Sequence, residues 1–217
     1  MFDVLDLYEQ PYDLRHPKVC FDEKSKELHA EKRKPLPMKP GQPTRQDYEY
    51  KRNGTRNLFV SVEPQAGFRH VLITRRRTKL DFAYAMRYLV DVLYPKAEWI
   101  DVVLDCLNTH NEETLIVIFG KMEADRILSR IHFHHTPTHA SWLNMAEIEI
   151  GVLETQCLDR RIPNEFSLAK EVVAWETRRN DKKAMIRWTF TKEKAEKLFC
   201  KYQSYSASQG TSTLGHK

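Results

Sequence analysis

No stretch of this sequence comes near the roughly 18 consecutive apolar residues that a membrane-spanning helix needs. The opening residues, MFDVLDLYEQPYDLRHP, also lack the basic segment followed by an apolar run that marks a secretory signal. Neither export nor membrane insertion is expected. Cysteine is sparse: Cys20, Cys106, Cys157 and Cys200 are scattered and form no CxxC pair. That pattern argues against a disulfide framework or a zinc site and for free thiols in a reducing compartment, so a cytoplasmic protein is expected. No internal repeat is visible. At 217 residues the chain can bury a sizeable core without covalent staples. Its 35 Lys and Arg against 30 acids leave a net charge of +5, an excess that informs only through its distribution.

Lys18-Val19-Cys20-Phe21 reads as a short strand stopped by Asp22 and Glu23. Residues 23–55 then carry nine Lys or Arg against five acids, with Pro35, Pro37, Pro40, Gly41 and Pro43 among them. This segment reads as a long basic arm, too Pro-rich for regular structure over much of its length. Asn57–Val62 and Phe68–Thr74 are β-prone runs joined by a Pro- and Gly-containing turn, the mark of a hairpin. Phe82, Met86, Leu89, Val90 and Leu93 recur at helical spacing until Pro95. Trp99–Leu104 is a nearly continuous apolar run, expected as a buried strand parallel to the first and delivering Asp105 at its C-terminal end. One or two helices are expected over 112–119 and 122–128, and a fifth strand over 131–134. Ser141 is the expected cap of a helix from Trp142 that carries Glu147 away from its apolar stripe. A further helix follows Pro163-Asn164, with Phe166, Leu168, Val172 and Trp175 as its buried side, and a last one spans about 192–202. Residues 204–217 read as a disordered tail.

The order of elements is that of an α/β domain in which Asp22 and Asp105 stand at strand ends and Glu147 on a later helix. If the two strands are neighbours, the three carboxylates can converge. Such a cluster repels itself and is stable mainly when divalent cations neutralise it, and oxygen-only donors suit magnesium or manganese. Two such ions are suited to phosphodiester displacement. Read from residue types alone, the same acids also fit a solvated surface. Glu149 is a rival to Glu147, but residues two apart on a helix point about 200° apart, so only one can enter the site.

Three segments carry a resemblance. Val19-Cys20-Phe21-Asp22-Glu23, Val103–His110 and His139–Glu147 resemble, in order, the catalytic blocks of the DDE transposases of the IS-six-thirty/mariner superfamily. Tyr48–Thr55 and Gln156–Pro163 are similar to further segments of its bacterial insertion-sequence members, so the likeness covers about residues 17–201. It implies an RNase H-like fold with a five-stranded mixed sheet flanked by helices. It also implies that Asp22, Asp105 and Glu147 hold two Mg²⁺ or Mn²⁺ ions, with Asn108, His110 and Asn144 in support; for Asn144, orienting the site and capping the helix are both open. The implied activity is cleavage at transposon ends and joining of the 3′-hydroxyl to target DNA. The alternative is an inactive DNA-binding or dimerisation remnant of an insertion sequence. Cys106 stands where relatives commonly carry Asn, and the 41 residues between Asp105 and Glu147 exceed the mariner-like spacing.

The expected organisation is a lead-in over 1–16, a catalytic domain over 17–203 that includes the basic insertion 23–55, and the tail. Double-stranded DNA at transposon ends and at a target, with TA sites implied, is the expected partner, in a homodimer. Family members usually carry helix-turn-helix end-recognition modules, so an upstream-frame protein supplying them is a further expected partner. The protein is then expected at the nucleoid. Candidate phosphate contacts are Lys51 and Arg52 in the basic arm, Arg75, Arg76, Arg77 and Lys79 after the hairpin, and Arg160 and Arg161. His132, His134, His135 and His139 fit no common zinc spacing. Trp142 and Trp175 read as core residues.

Overall fold

The computed structural model describes residues 1–43, 45, 47–106 and 111–198. Five strands form one mixed sheet: β1 (Lys18–Glu31), β2 (Tyr50–Glu63), β3 (Phe68–Thr74), β4 (Ile100–Leu104) and β5 (Ile131–His135), in the order β3-β2-β1-β4-β5. β1 pairs antiparallel with β2 and parallel with β4, and β5 continues the parallel half, with Cys20 beside Val103 and Val103 beside His134. The expected five-stranded mixed sheet and the parallel placement of the two acid-bearing strands are therefore present. No helix among the described residues is long and apolar enough to cross a membrane.

Alternation along the strands assigns each residue to a face. One face, with Val19, Phe21, Phe59, Val102 and Leu104, is covered by α2 (Lys79–Tyr88, continued by a π turn over Leu89–Leu93), α3 (Glu112–Phe119) and α4 (Lys121–Leu128). The other face, with Cys20, Leu58, Val60, Val62 and Val103, is covered by three elements. They are α1 (Phe2–Glu9), α5 (Ala146–Leu153, continued by a π turn over Glu154–Leu158) and α6 (Glu165–Asp181). Residues 192–198 are also helical, while the expected continuation to 202 and the tail lie outside the described residues.

Three expectations of local structure are corrected. The lead-in contains α1, whose Val4 and Leu5 are fully buried and whose Tyr8 hydroxyl donates to the Leu143 carbonyl at 2.8 Å. Two helical turns are too short to show a convincing period in sequence. β1 also does not stop at Asp22 but runs on with β2 past the sheet as a two-stranded ribbon, which takes up residues 23–31 and 50–55 of the basic arm, while the described residues between them, with all four of its prolines, lie outside the strands as expected. Tertiary ties hold this polar ribbon. The Lys26 ammonium donates to the Leu158 carbonyl at 2.5 Å, the His29 amide to Ile162 at 2.8 Å, and Arg161 pairs with Glu31 at 2.8 Å. The register slips between Glu27 and His29, opposite Gly54, whose φ of 84° makes it the natural residue for a bulge. Finally, Phe166 is 80% exposed in the first turn of α6, while Leu168, Val172 and Trp175 are buried as expected.

The β2–β3 turn bears on the rest of the fold. Gly67 has φ 67°, and a Cβ there would lie 2.4 Å from the backbone carbon of Lys183. Gly67→Ala must therefore push away the segment that follows α6 as well as adopt a left-handed backbone. A loss of more than about 1 kcal/mol is expected, read as a lower midpoint in urea denaturation.

Candidate active site

Asp22 follows Cys20 by two residues within β1 and so shares the face on which α5 packs, and Asp105 comes directly after the last residue of β4. Asp22, Glu23 and Lys24 from β1 and Glu147, Ile150, Gly151 and Glu154 from α5 line one open cleft of about 440 Å³. Burial pushes the Asp22 carboxyl up to about 6, assisted by the charges of Asp105, Glu147 and Glu23 and opposed by the Glu23 amide, which donates to it at 2.7 Å. The charges of Asp105 and Glu147 thus both reach Asp22, although Asp105 is not among the residues that line the cleft. Among the described residues, no three His, Cys, Asp or Glu side chains are already gathered closely enough to cage an ion. Their chemistry nonetheless fits one: the donors are all carboxylate oxygens, and their like charge adds to the burial that disfavours ionisation of Asp22.

The helix that carries Glu147 starts later than expected. Ser141–Leu143 forms a single 3-10 turn, and α5 begins at Ala146. Asn144, fully buried, organises this start: its Oδ1 accepts from the Ala146 amide at 3.1 Å, and its Nδ2 donates to the Phe21 carbonyl at 2.9 Å. One side chain therefore caps the helix of Glu147 and fastens it to the strand residue beside Asp22. Asn144→Ala is expected to cost about 2–3 kcal/mol, because a cap is lost and buried backbone groups on two elements are left unpaired. Calorimetric melting of the two forms measures it.

Glu149 is elsewhere. It is fully buried between Arg69, whose Nε donates to it at 3.0 Å, and Arg179, whose Nε and a terminal nitrogen donate at 2.6 and 2.9 Å. The opposite orientation of residues two apart on a helix thus sends Glu147 to the cleft and Glu149 into an ion-pair core.

Asn108 and His110 lie outside the described residues, as does Cys200. Cys106 donates its thiol to the Thr136 carbonyl at 3.2 Å, and Cys20, Cys106 and Cys157 are free thiols. His134 spends both ring nitrogens on Asp3, at 2.8 Å, and Asp101, at 3.0 Å, which ties α1 to the sheet. The hydrogen bond from Asp101 raises the His134 pKa against the effect of burial. Trp175 is buried as expected, but Trp142 is 46% exposed, lying against Trp188 and Phe190 instead of entering the core.

The candidate phosphate contacts divide. Arg77 reaches the rim of the cleft and pairs with Glu23 at 3.0 Å, Arg75 lies 3.7 Å from Glu165, and Arg160 pairs with Glu171. Arg161, paired with Glu31, also donates to the Tyr48 carbonyl at 3.2 Å and so helps anchor the ribbon. Arg52 lies beside Tyr50 and Glu27, which raise its pKa. Lys51, Arg76 and Lys79 are exposed, with no ion-pair partner among the described residues.

A mixed five-stranded sheet with helices on both faces, with one acid just past the stretch of β1 that pairs with β4 and another directly after β4, is an RNase H-like arrangement. The sequence agrees: residues 17–169 match the model of the DDE superfamily endonucleases, and the chain belongs to that family. Solved structures with the same fold include the Mos1 mariner paired-end complex with Mn, at 17% identity and TM-score 0.53, covering 83% of this chain and 56% of that one. The Mos1 transposase paired-end complex with the left transposon end is similar at 18% identity and TM-score 0.52, covering 81% and 52%. A pre-cleavage Mos1 transpososome matches at 17% identity and TM-score 0.52, covering 83% and 58%. The chain thus spans little more than half the length of the Mos1 chains. No curated protein matches it in sequence.

Proposed function

We propose that this chain is the catalytic domain of a transposase that cuts phosphodiester bonds at transposon ends and joins the freed 3′-hydroxyl to target DNA. The observation that carries the reading is that Asp22 from β1 and Glu147 from α5 line one open cleft, where burial, with the charges of Asp105 and Glu147 adding to it, pushes the Asp22 carboxyl up to about 6. Asp22, Asp105 and Glu147 would hold two Mg²⁺ or Mn²⁺ ions, whose chemistry when bound is to activate an attacking oxygen and stabilise a leaving one. The chain's own part is positional. Asn144 fixes the α5 start against β1, the open cleft would admit a backbone of DNA, and by the family resemblance Asn108 and His110 would have a supporting role. Arg77, which pairs with Glu23 at the rim, would meet a phosphate, and Lys51, Arg52, Arg75, Arg76, Lys79, Arg160 and Arg161 would supply further cationic surface.

Support comes from the family of endonucleases to which the chain belongs. The Mos1 structures of like fold are a paired-end complex with Mn and a complex with a transposon end. By extension, duplex DNA carrying terminal repeats is the substrate and a paired, dimeric complex the working form, with an upstream-frame helix-turn-helix protein for end recognition and a cytoplasmic, nucleoid location. The test is nicking of end-labelled duplex bearing the element's terminal repeats. Cutting should require Mg²⁺ or Mn²⁺ and vanish in Glu147→Gln. Bound but uncut DNA under every metal condition would instead identify an inactive remnant.

A further inference from the structure

Across α5 from the acid cleft lies a second pocket, of about 370 Å³, lined by Gln156, Trp175, Arg178, Arg179, Lys182 and Ala184. No carboxylate lines it. The nearest acids are committed elsewhere: Glu149 is buried between Arg69 and Arg179, and Glu176 accepts from the Val71 amide at 2.9 Å and bonds His70 at 3.1 Å. One carboxylate serves two guanidinium groups, so the ion-pair core already holds one surplus positive charge. Arg178 and Lys182 add two more, both exposed and both without a hydrogen-bond or ion-pair partner among the described residues. Asp181, the other acid of this last turn, does not line the pocket.

The neutral lining points the same way. Trp175 Nε1 can only donate, and it lies 3.1 Å from Gln156 Oε1, which fixes the amide orientation. The Gln156 NH₂ is therefore left as a donor. Arg179 gives Nε and one terminal nitrogen to Glu149, which leaves its other terminal nitrogen to donate. The pocket is thus walled by donors and cations over an aromatic base, and its charge calls for an anion with several acceptor oxygens.

We propose that this pocket seats a backbone phosphate of duplex DNA, a grip separate from the acid cleft. The inference rests on the reading of the chain as a DNA-handling protein, and it assigns the run Arg178-Arg179 with Lys182, which composition alone did not single out. Arg179 cannot be removed cleanly because Glu149 depends on it. Arg178 and Lys182 can.

The experiment measures binding of fluorescently labelled duplex to the full chain in EDTA, over a salt series, for wild type and Arg178→Ala/Lys182→Ala. Loss of two phosphate contacts should make the slope of log affinity against log salt shallower by about 1.8 and weaken binding about tenfold or more at moderate salt. The charge-keeping pair Arg178→Lys/Lys182→Arg should retain the wild-type slope, and Lys121→Ala, a charge lost from the opposite face, should too. An unchanged slope and affinity in the Ala variant, or a wild type that binds no duplex, would overturn the proposal. A second arm adds inorganic phosphate alone and follows the melting temperature. Stabilisation by phosphate that the Ala variant loses, with its DNA slope unchanged, would make the pocket a free-anion site and also overturn it. Because EDTA removes cutting from the readout, a chain that binds through this pocket yet never nicks DNA would sink only the catalytic reading. One that nicks DNA with an unaltered slope in the variant would sink only this one.

Discussion

Asp22→Asn is expected to end strand cutting and, in the same protein, to make the metal-free chain more stable. The two effects have one cause. Burial and the charges of Asp105, Glu147 and Glu23 raise the Asp22 pKa from 3.8 to about 6, so the folded chain holds a proton that the unfolded chain releases. A raised folded-state pKa gives stability that is present below the unfolded value and lost as pH rises through the folded one, here between about 4 and 6. Asparagine keeps the shape and carries no charge, so its advantage over wild type should grow across that window. It should level off above pH 6 at about 1–3 kcal/mol, since the open cleft screens part of the repulsion. Denaturant melts of both proteins in EDTA at several pH values measure this. Adding Mn²⁺ should stabilise the wild type and do little for the variant, and a variant that cut DNA normally would remove Asp22 from the site.

Glu149→Ala is expected to do the reverse of Glu147→Gln, although the two acids are separated by one residue. Removing Glu149 leaves Arg69, which is fully buried, and Arg179 facing each other without a counter-charge. Breaking a buried pair by deleting one partner typically costs about 3–5 kcal/mol, because the surviving charge is stranded. Arg69 also donates to the Gly67 carbonyl at 2.7 Å, to Asn180 and to the Ala184 carbonyl, so the loss should loosen the β2–β3 turn and the segment after α6 together. A large fraction of the chain's total stability is at stake, and soluble yield and melting temperature should both fall. Glu147→Gln, on the exposed side of the same helix, should melt like wild type and bind DNA while failing to cut it. Equal melting temperatures for the two variants would contradict the assignment of Glu147 to the cleft and Glu149 to the core.

What the sequence could show followed from local pattern. The strand leading to Asp105 is a short apolar run stopped by an acid, and the separation of Glu147 from Glu149 follows from helical geometry alone; β1, by contrast, does not stop at Asp22 but runs on through polar residues to Glu31. The ribbon was hidden because its residues are polar and its ties are remote. Lys26 meets Leu158 and Arg161 meets Glu31 across more than a hundred residues, and no window of sequence contains both partners. The start of α5 was displaced by a choice between two good capping residues, Ser141 and Asn144. Only the buried bond from Asn144 to the Phe21 carbonyl decides between them. Trp142 sits on an apolar stripe by spacing, yet finds its aromatic neighbours in Trp188 and Phe190, from a segment without periodic pattern. The donors of the basic pocket come from the π turn after α5 and from the end of α6, so their convergence depends on how those helices pack.

Whether Asp22, Asp105 and Glu147 form a divalent-metal centre can be read from crystals of the chain soaked in Mn²⁺ and examined for anomalous scattering. Manganese is expected beside Asp22, Asp105 and Glu147 in the wild type and should be lost in Glu147→Gln crystals. Manganese bound only elsewhere, or retained in the cleft without Glu147, would contradict that assignment.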